Sequence, residues 1–189
     1  MAKITSIKGR LIYNSRGDKT VEVDIISDNQ YLGRTCATSG ASVGKYEAIS
    51  FPNDNPEESL RILTENSKKF LGLEPNDLKV IHETIKSIDK TPNYSEVGGA
   101  IAYAVSIAAM ESASKAIGKP LFRLISEQSE YRFPIPLGNI LGGGVHAGSG
   151  TPDIQEILIS ATNAKTVREA IQTNLAVHKE LRKVIEKTD

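Results

Sequence analysis

His146 is followed shortly by the adjacent pair Gln155 and Glu156. An imidazole titrates near neutral pH and can donate to a phosphate or assist proton movement. The histidine comes just after Gly142-Gly143-Gly144, which ends an apolar run starting near Pro134. Glycine admits positive φ and close approach to a ligand, so such a loop can carry an imidazole over a pocket. Taken alone, His146 reads first as a structural or surface histidine. The Gln155-Glu156 pair is weak by itself, because consecutive strand residues face opposite sides and share a site only at a strand end or bend. A second loop of small residues is Ser39-Gly40-Ala41-Ser42-Val43-Gly44. It is either an ordinary turn or a flap whose hydroxyls and carbonyls reach a ligand or a hard cation, and oxygen ligands suit Mg²⁺. The three-glycine run lacks the Gly-Lys-Ser/Thr ending of a P-loop and the strand-to-helix setting of a dinucleotide fingerprint, so it is not a nucleotide loop.

The elements that must hold these residues follow from local pattern. Residues 3–13 and 19–28 are β-branched runs separated by the turn signal Asn14-Ser15-Arg16-Gly17-Asp18. In Thr20 to Ile25 valines alternate with acids, giving one apolar and one wet face. A third strand over Gln30–Cys36 completes an antiparallel meander. Pro56-Glu57-Glu58 opens a helix with Leu60, Ile62, Leu63, Phe70 and Leu71 as its apolar residues. Asn76-Asp77 is the N-cap candidate for a second helix running towards Ile88, and Ser95 is expected to cap a long Ala-, Gly- and Ser-rich helix from Glu96 to about Ile117. Two strands, 134–140 and 153–160, then flank the glycine loop. A helix from Thr166 to Glu186 follows, with an apolar stripe of Ile171, Leu175, Val177, Leu181, Val184 and Ile185. The fold class is α+β to residue 132, with residues 133–189 a separate start. His82 and His178 fall inside helical patterns and are expected on the surface or in packing.

The 39% hydrophobic and 24% charged content supports a folded core. Twenty-three basic and 23 acidic residues cancel, so no overall field favours nucleic acid or an anionic membrane. No apolar stretch approaches the ~20 residues that span a bilayer. The start, Met-Ala-Lys-Ile-Thr-Ser-Ile-Lys, has no apolar h-region, and the single cysteine, Cys36, suits a reducing compartment. A cytoplasmic location is expected.

Four ordered segments resemble the enolase (phosphopyruvate hydratase) family. Residues 14–23 resemble its Asp-Ser-Arg-Gly-Asn-Pro-Thr-Val-Glu-Val, with Asn14 in place of the acid. Ser39 to Gly44, with Glu47-Ala48 beyond, resemble Ser-Gly-Ala-Ser-Thr-Gly and its following Glu-Ala, with Val43 replacing threonine. Residues 88–101 resemble Leu-Asp-Gly-Thr-Pro-Asn-Lys-Ser-Lys-Leu-Gly-Ala-Asn-Ala, here taken as a turn and a closely packed helix without chemistry. The glycine loop and His146 resemble Gly-Gly-x-His-Ala-Gly.

The resemblance implies an enolase-type amino-terminal capping domain over 1–132 and the opening strands and helix of a β/α barrel over 133–189. It implies Mg²⁺-dependent, reversible dehydration of 2-phosphoglycerate to phosphoenolpyruvate in glycolysis and gluconeogenesis, by a homo-oligomer, dimer or octamer. Such sites use a Lys or His base, with Mg²⁺ stabilising the charge that develops. By position, Ser42 would bind the second Mg²⁺ through its carbonyl and hydroxyl, with Ser39, Gly40 and Ala41 beside the substrate. His146 would lie near the substrate phosphate. Glu156 would join the proton network at the leaving hydroxyl with Gln155 positioning it, and Arg16 would organise domain and subunit contacts. The family's Asp/Glu/Asp ligands of the first Mg²⁺, its lysine base and its glutamate acid match no position here. A (β/α)₈ barrel takes about 250 residues. The chain is therefore expected to be part of a longer enolase and inactive alone; the alternative is a short, non-catalytic enolase-like binding or scaffolding module.

Overall fold

Val21, Val23 and Ile25 are fully buried while the intervening Glu22 and Asp24 point the other way, as their alternation requires. They lie on the central strand of a three-stranded antiparallel sheet in order β1 (Ile4–Tyr13), β2 (Lys19–Ser27), β3 (Tyr31–Cys36). In the computed structural model described here, residues 2–38, 44–126, 128–144 and 149–187 are placed. Two compact units emerge, Met1–Gln128 and Ser129–Asp189. Among the described residues no helix is long and apolar enough to cross a membrane.

Local chemistry sets both hairpins. The Asn14 side-chain oxygen accepts the N–H groups of Arg16 (2.8 Å) and Asp18 (3.0 Å), closing an Asx turn in which Gly17 takes φ of 82°. Asp28 and Asn29 both adopt left-handed φ, 50° and 57°, which short polar side chains tolerate. On the wet face Arg10 stands opposite Glu22, and Arg34 opposite Asp24. Arg34 grips Asp24 with two bonds of 2.7 and 2.8 Å, and Arg10 adds a third at 2.9 Å.

Helices cover the apolar face. α1 (Pro56–Asn66) is capped by Asn55, which accepts from Glu57 and Glu58 N–H. It ends earlier than its apolar pattern suggests. A 3₁₀ turn, Ser67–Phe70, drives Phe70 into the core and leaves Leu71 half exposed. α2 (Leu78–Ile88) is capped by Asp77 and buries Ile81 and Ile85. α3 (Gly99–Ile117) buries Ala104, Val105, Ala108, Ala109 and Ser112 and ends at Gly118 with φ of 70°. A short α4 (Leu121–Ile125) closes the unit.

The start of α3 differs from expectation. Ser95 does not cap it, and residues 96–98 lie outside the helix. The N–H groups of Glu96 and Val97 are instead taken by the carboxylate of Asp89, at 3.0 and 2.8 Å. That pulls the chain into a turn, and Gly98, at φ of 92°, redirects it into the helix.

In the second unit β4 (Leu137–Gly142) pairs antiparallel with β5 (Glu156–Ser160), and α5 (Val167–Ile185) packs on them. Both strands are shorter than expected. β4 starts after Pro134 and Pro136, which have no N–H for a ladder. β5 starts only where Glu156 meets Gly142. α5 is capped by Thr166, whose hydroxyl oxygen accepts Glu169 N–H at 3.1 Å. Its apolar stripe is not its buried face. Ala170 and Asn174 are buried, with Asn174 against Gly138 and donating to the Pro136 carbonyl, whereas Ile171, Leu175, Val177, Val184 and Ile185 are exposed. Two strands are too narrow to cover more of the helix.

The Arg34 grip, opposed by partial burial and helped by Arg10, holds the Asp24 carboxyl down at about 2 from an ordinary 3.8. A depressed carboxyl adds stability above its unfolded pKa and loses it as pH falls through the folded value. Arg34→Gln should therefore destabilise the protein at pH 7, by an amount that solvent screening of the half-exposed arginine keeps small. The difference should narrow between about pH 4 and pH 2. Urea unfolding of both proteins across that range checks this, and a pH-independent difference would contradict it.

Candidate functional site

Gly143 sits where the chain leaves β4, and a side chain there has no room. A Cβ would fall 2.5 Å from the carbonyl oxygens of both Pro152 and Ile154. Gly144 follows with φ of 67°. The Gly143 N–H bonds the Gln155 carbonyl at 2.9 Å, and the Gly144 N–H bonds the Pro152 carbonyl at 2.7 Å. The two sides of the loop are thus pinned together at backbone distance. Glu156 is the first residue of β5 and Gln155 immediately precedes it, both exposed. The pair therefore stands at a strand end, the one place where neighbours in sequence can share a site. His146, two positions after Gly144, lies outside the described residues, so its approach to Gln155 and Glu156 is not among the observed geometry.

The first unit holds the second loop at both of its ends. On one side the Ala37 N–H bonds the Val21 carbonyl at 2.8 Å, and the Thr20 hydroxyl bonds the Ala37 carbonyl at 3.1 Å. Ser39, Gly40, Ala41 and Ser42 lie outside the described residues. On the other side Gly44 and Glu47 close a reciprocal turn: Gly44 N–H donates to the Glu47 carboxylate at 3.0 Å, and Glu47 N–H to the Gly44 carbonyl at 3.1 Å. Beyond it Ala48 packs against Gly99, where a Cβ would come within 2.8 Å of the alanine methyl. The Glu47-Ala48 segment and the Gly98-Gly99 segment are thus in direct contact, a pairing that separate inspection of the motifs missed.

The remaining candidates fall away from chemistry. His82, His178 and Cys36 are exposed. Among the described residues no group of three or more His, Cys, Asp or Glu side chains could hold a metal ion. Mg²⁺ demands near-octahedral oxygen coordination, and the described residues do not supply it. The residue that sequence reasoning passed over is Asp89, buried and bonded to four donors. Its signal was the Asp-x-Thr spacing of an Asx turn, Asp89-Lys90-Thr91.

A family profile described as the enolase N-terminal domain matches residues 4–125, and one described as the enolase C-terminal TIM barrel domain matches residues 130–189. The chain belongs to the enolase family. Curated proteins named enolase are similar along nearly its whole length. That of Methanothermobacter thermautotrophicus is 40% identical over 190 residues, covering 98% of this chain and 45% of the relative. That of Methanosphaera stadtmanae is 37% identical with the same coverages. That of Halorubrum lacusprofundi is 38% identical over 94% of this chain and 44% of the relative. The chain thus spans somewhat under half the length of the enolases it matches. The three-stranded sheet with its helices belongs to the amino-terminal domain, and β4, β5 and α5 to part of the barrel domain.

The glycines of the barrel loop are not equivalent. A Cβ on Gly142 would meet only the Asn139 amide nitrogen at 3.8 Å, an ordinary contact. Gly142→Ala should change stability by less than about 0.5 kcal/mol, whereas Gly143→Ala should cost roughly 1–3 kcal/mol through backbone displacement. Denaturant unfolding of the two variants checks the contrast. Equal stabilities would contradict the close approach at Gly143.

Proposed function

We propose that this chain forms the amino-terminal domain and the barrel opening of an enolase that reversibly dehydrates 2-phosphoglycerate to phosphoenolpyruvate. The observation that carries the proposal is the pinned glycine loop. Gly143 and Gly144 bond the segment from Pro152 to Gln155 that leads into Glu156, in a chain 40% identical to a named enolase. In the reaction the C2–H and C3–O bonds break, a C2=C3 bond forms, and the proton and hydroxide leave as water. Glu156 is proposed to serve the leaving hydroxyl in a proton network, with Gln155 orienting it. His146 is proposed to lie by the phosphate, where an imidazole titrating near neutral pH can donate a hydrogen bond or pass a proton. Ser39, Gly40 and Ala41 are proposed to line the substrate.

Family membership implies a divalent metal, and Mg²⁺ is the proposed ion; when bound it would offset negative charge on the substrate. Ser42 would offer it a carbonyl and a hydroxyl oxygen, with the principal ligands, the base and the acid coming from barrel elements beyond those described. The exposed apolar residues of β5 and α5, such as Ile157, Leu158, Leu175 and Val184, are proposed to be covered by those further β/α units. A homo-oligomer, dimer or octamer, with Arg16 near the domain and subunit contacts, and a cytoplasmic location complete the proposal. The proposed domain boundary is at residues 132/133.

Two substitutions test it in a protein that carries this chain within a full-length barrel. His146→Ala should lower kcat roughly 100-fold or more if the imidazole takes part in proton transfer. Ser42→Ala should lower turnover and raise the Mg²⁺ concentration required, since one oxygen is lost while the backbone carbonyl remains. Melting temperatures should stay close to the parent's. Unchanged kcat and Mg²⁺ dependence in both variants would overturn the site assignment.

A further inference from the structure

Asp89 is fully buried, and no ion pair to it is found among the described residues; Lys86 donates instead to the Thr91 carbonyl at 3.0 Å. Its Oδ1 accepts the Thr91 N–H at 2.9 Å and the Thr91 hydroxyl at 2.5 Å, and its Oδ2 accepts the N–H groups of Glu96 and Val97. The Thr91 hydroxyl oxygen also accepts the Ser95 N–H at 2.9 Å. A buried carboxylate is expensive unless donors surround it, and here four do. An ordinary N-cap would have served α3 with less desolvation. The product of this arrangement is a closed turn from Asp89 to Gly98 with a fixed outline.

That outline is used by another part of the chain. The Asn93 carbonyl, at the tip of the turn, accepts the Ile49 N–H at 2.8 Å. The first N–H groups of α3, orphaned as at every helix start, are taken by the same segment. Gly99 N–H donates to the Ile49 carbonyl at 2.7 Å and Ala100 N–H to the Ser50 carbonyl at 3.2 Å. Gly98 passes so close that a Cβ would lie 2.6 Å from the Ser50 carbonyl oxygen. Ile49 and Ser50 are thus bonded to both arms of the turn that Asp89 holds.

We propose that Asp89 and Thr91 are positioning residues: they fix where Ile49 and Ser50 lie, and so where the segment that carries Ser42 rejoins the domain. Only the catalytic importance of that placement rests on the proposed function; the clamp itself is a property of the first unit. Amide hydrogen exchange reads the clamp without reference to activity, so clamp and reaction can fail separately.

The experiment compares Asp89→Asn, Thr91→Val and Thr91→Ser with a core control, Ile85→Val, in the 189-residue chain. Denaturant unfolding ranks their global stabilities, and exchange is followed at the amides of Ile49, Gly99 and Ala100. In Thr91→Val these three should exchange at least tenfold faster than in a control of comparable stability, and Thr91→Ser, which restores the hydroxyl, should return them to the parent rate. Asp89→Asn should show the larger effect, and if it does not fold, Thr91→Val still decides. Exchange that rises no more than in Ile85→Val, or that Thr91→Ser fails to restore, would overturn the proposal.

Discussion

A methyl group at Gly33 would fall 1.9 Å from the Ala108 carbonyl oxygen and 2.5 Å from the Ser112 nitrogen, so close does β3 lie to α3. The first unit depends on that approach. It is possible because α3 presents Ala104, Ala108 and Ser112 to the sheet, side chains that add little thickness. The Ser112 hydroxyl lies 2.7 Å from the Ser27 hydroxyl and 2.8 Å from the Tyr31 carbonyl, so the polar atom in this contact is satisfied. With the helix seated there, Val21, Val23 and Ile25 are sealed, and the charges of Arg10, Glu22, Asp24 and Arg34 collect on the other face. The axis of α3 in turn fixes its first residues, Gly99 and Ala100, to which the segment after Ser39–Gly44 is tied.

Much of this was written in short-range pattern. The alternation in β2, the hairpin turns, and the caps Asn55, Asp77 and Thr166 depend on residues within a few positions of each other; of these caps, only the one at Asn76-Asp77 is anticipated from sequence. What escaped depends on distance. Ser95 is a plausible cap, but the carboxylate of Asp89, six residues earlier, competes for the same stretch of N–H groups and wins. The stripe on α5 identifies apolar residues without saying what covers them, and Ala170 and Asn174 prove to be the buried ones. The start of β4 moved because prolines at 134 and 136 cannot donate to a ladder, and β5 starts only where Glu156 meets Gly142.

The candidate site was legible in part. Joint action of Gln155 and Glu156 requires a strand end or bend, and β5 meets that by beginning at Glu156, whereas the expected strand over 153–160 would have held both residues in its interior. The glycine run was recognised as a loop, but sequence gave no reason to separate Gly143, held between two carbonyl oxygens, from Gly142, which is nearly unconstrained. The contact between Ala48 and Gly99 joins two family motifs that look independent in sequence. His146 and Ser42 remain assigned by resemblance, each flanked by backbone whose anchoring is visible.

The chain belongs to the enolase family and spans 45% of the length of its Methanothermobacter thermautotrophicus relative. The most direct measurement compares residues 1–189 alone with the same residues continued into the remaining barrel of the Methanothermobacter thermautotrophicus relative, each shown to be folded and free of host enolase. Formation of phosphoenolpyruvate from 2-phosphoglycerate should appear only in the continued protein and only with Mg²⁺. Turnover by residues 1–189 alone, or none by the folded continued protein, would contradict the account.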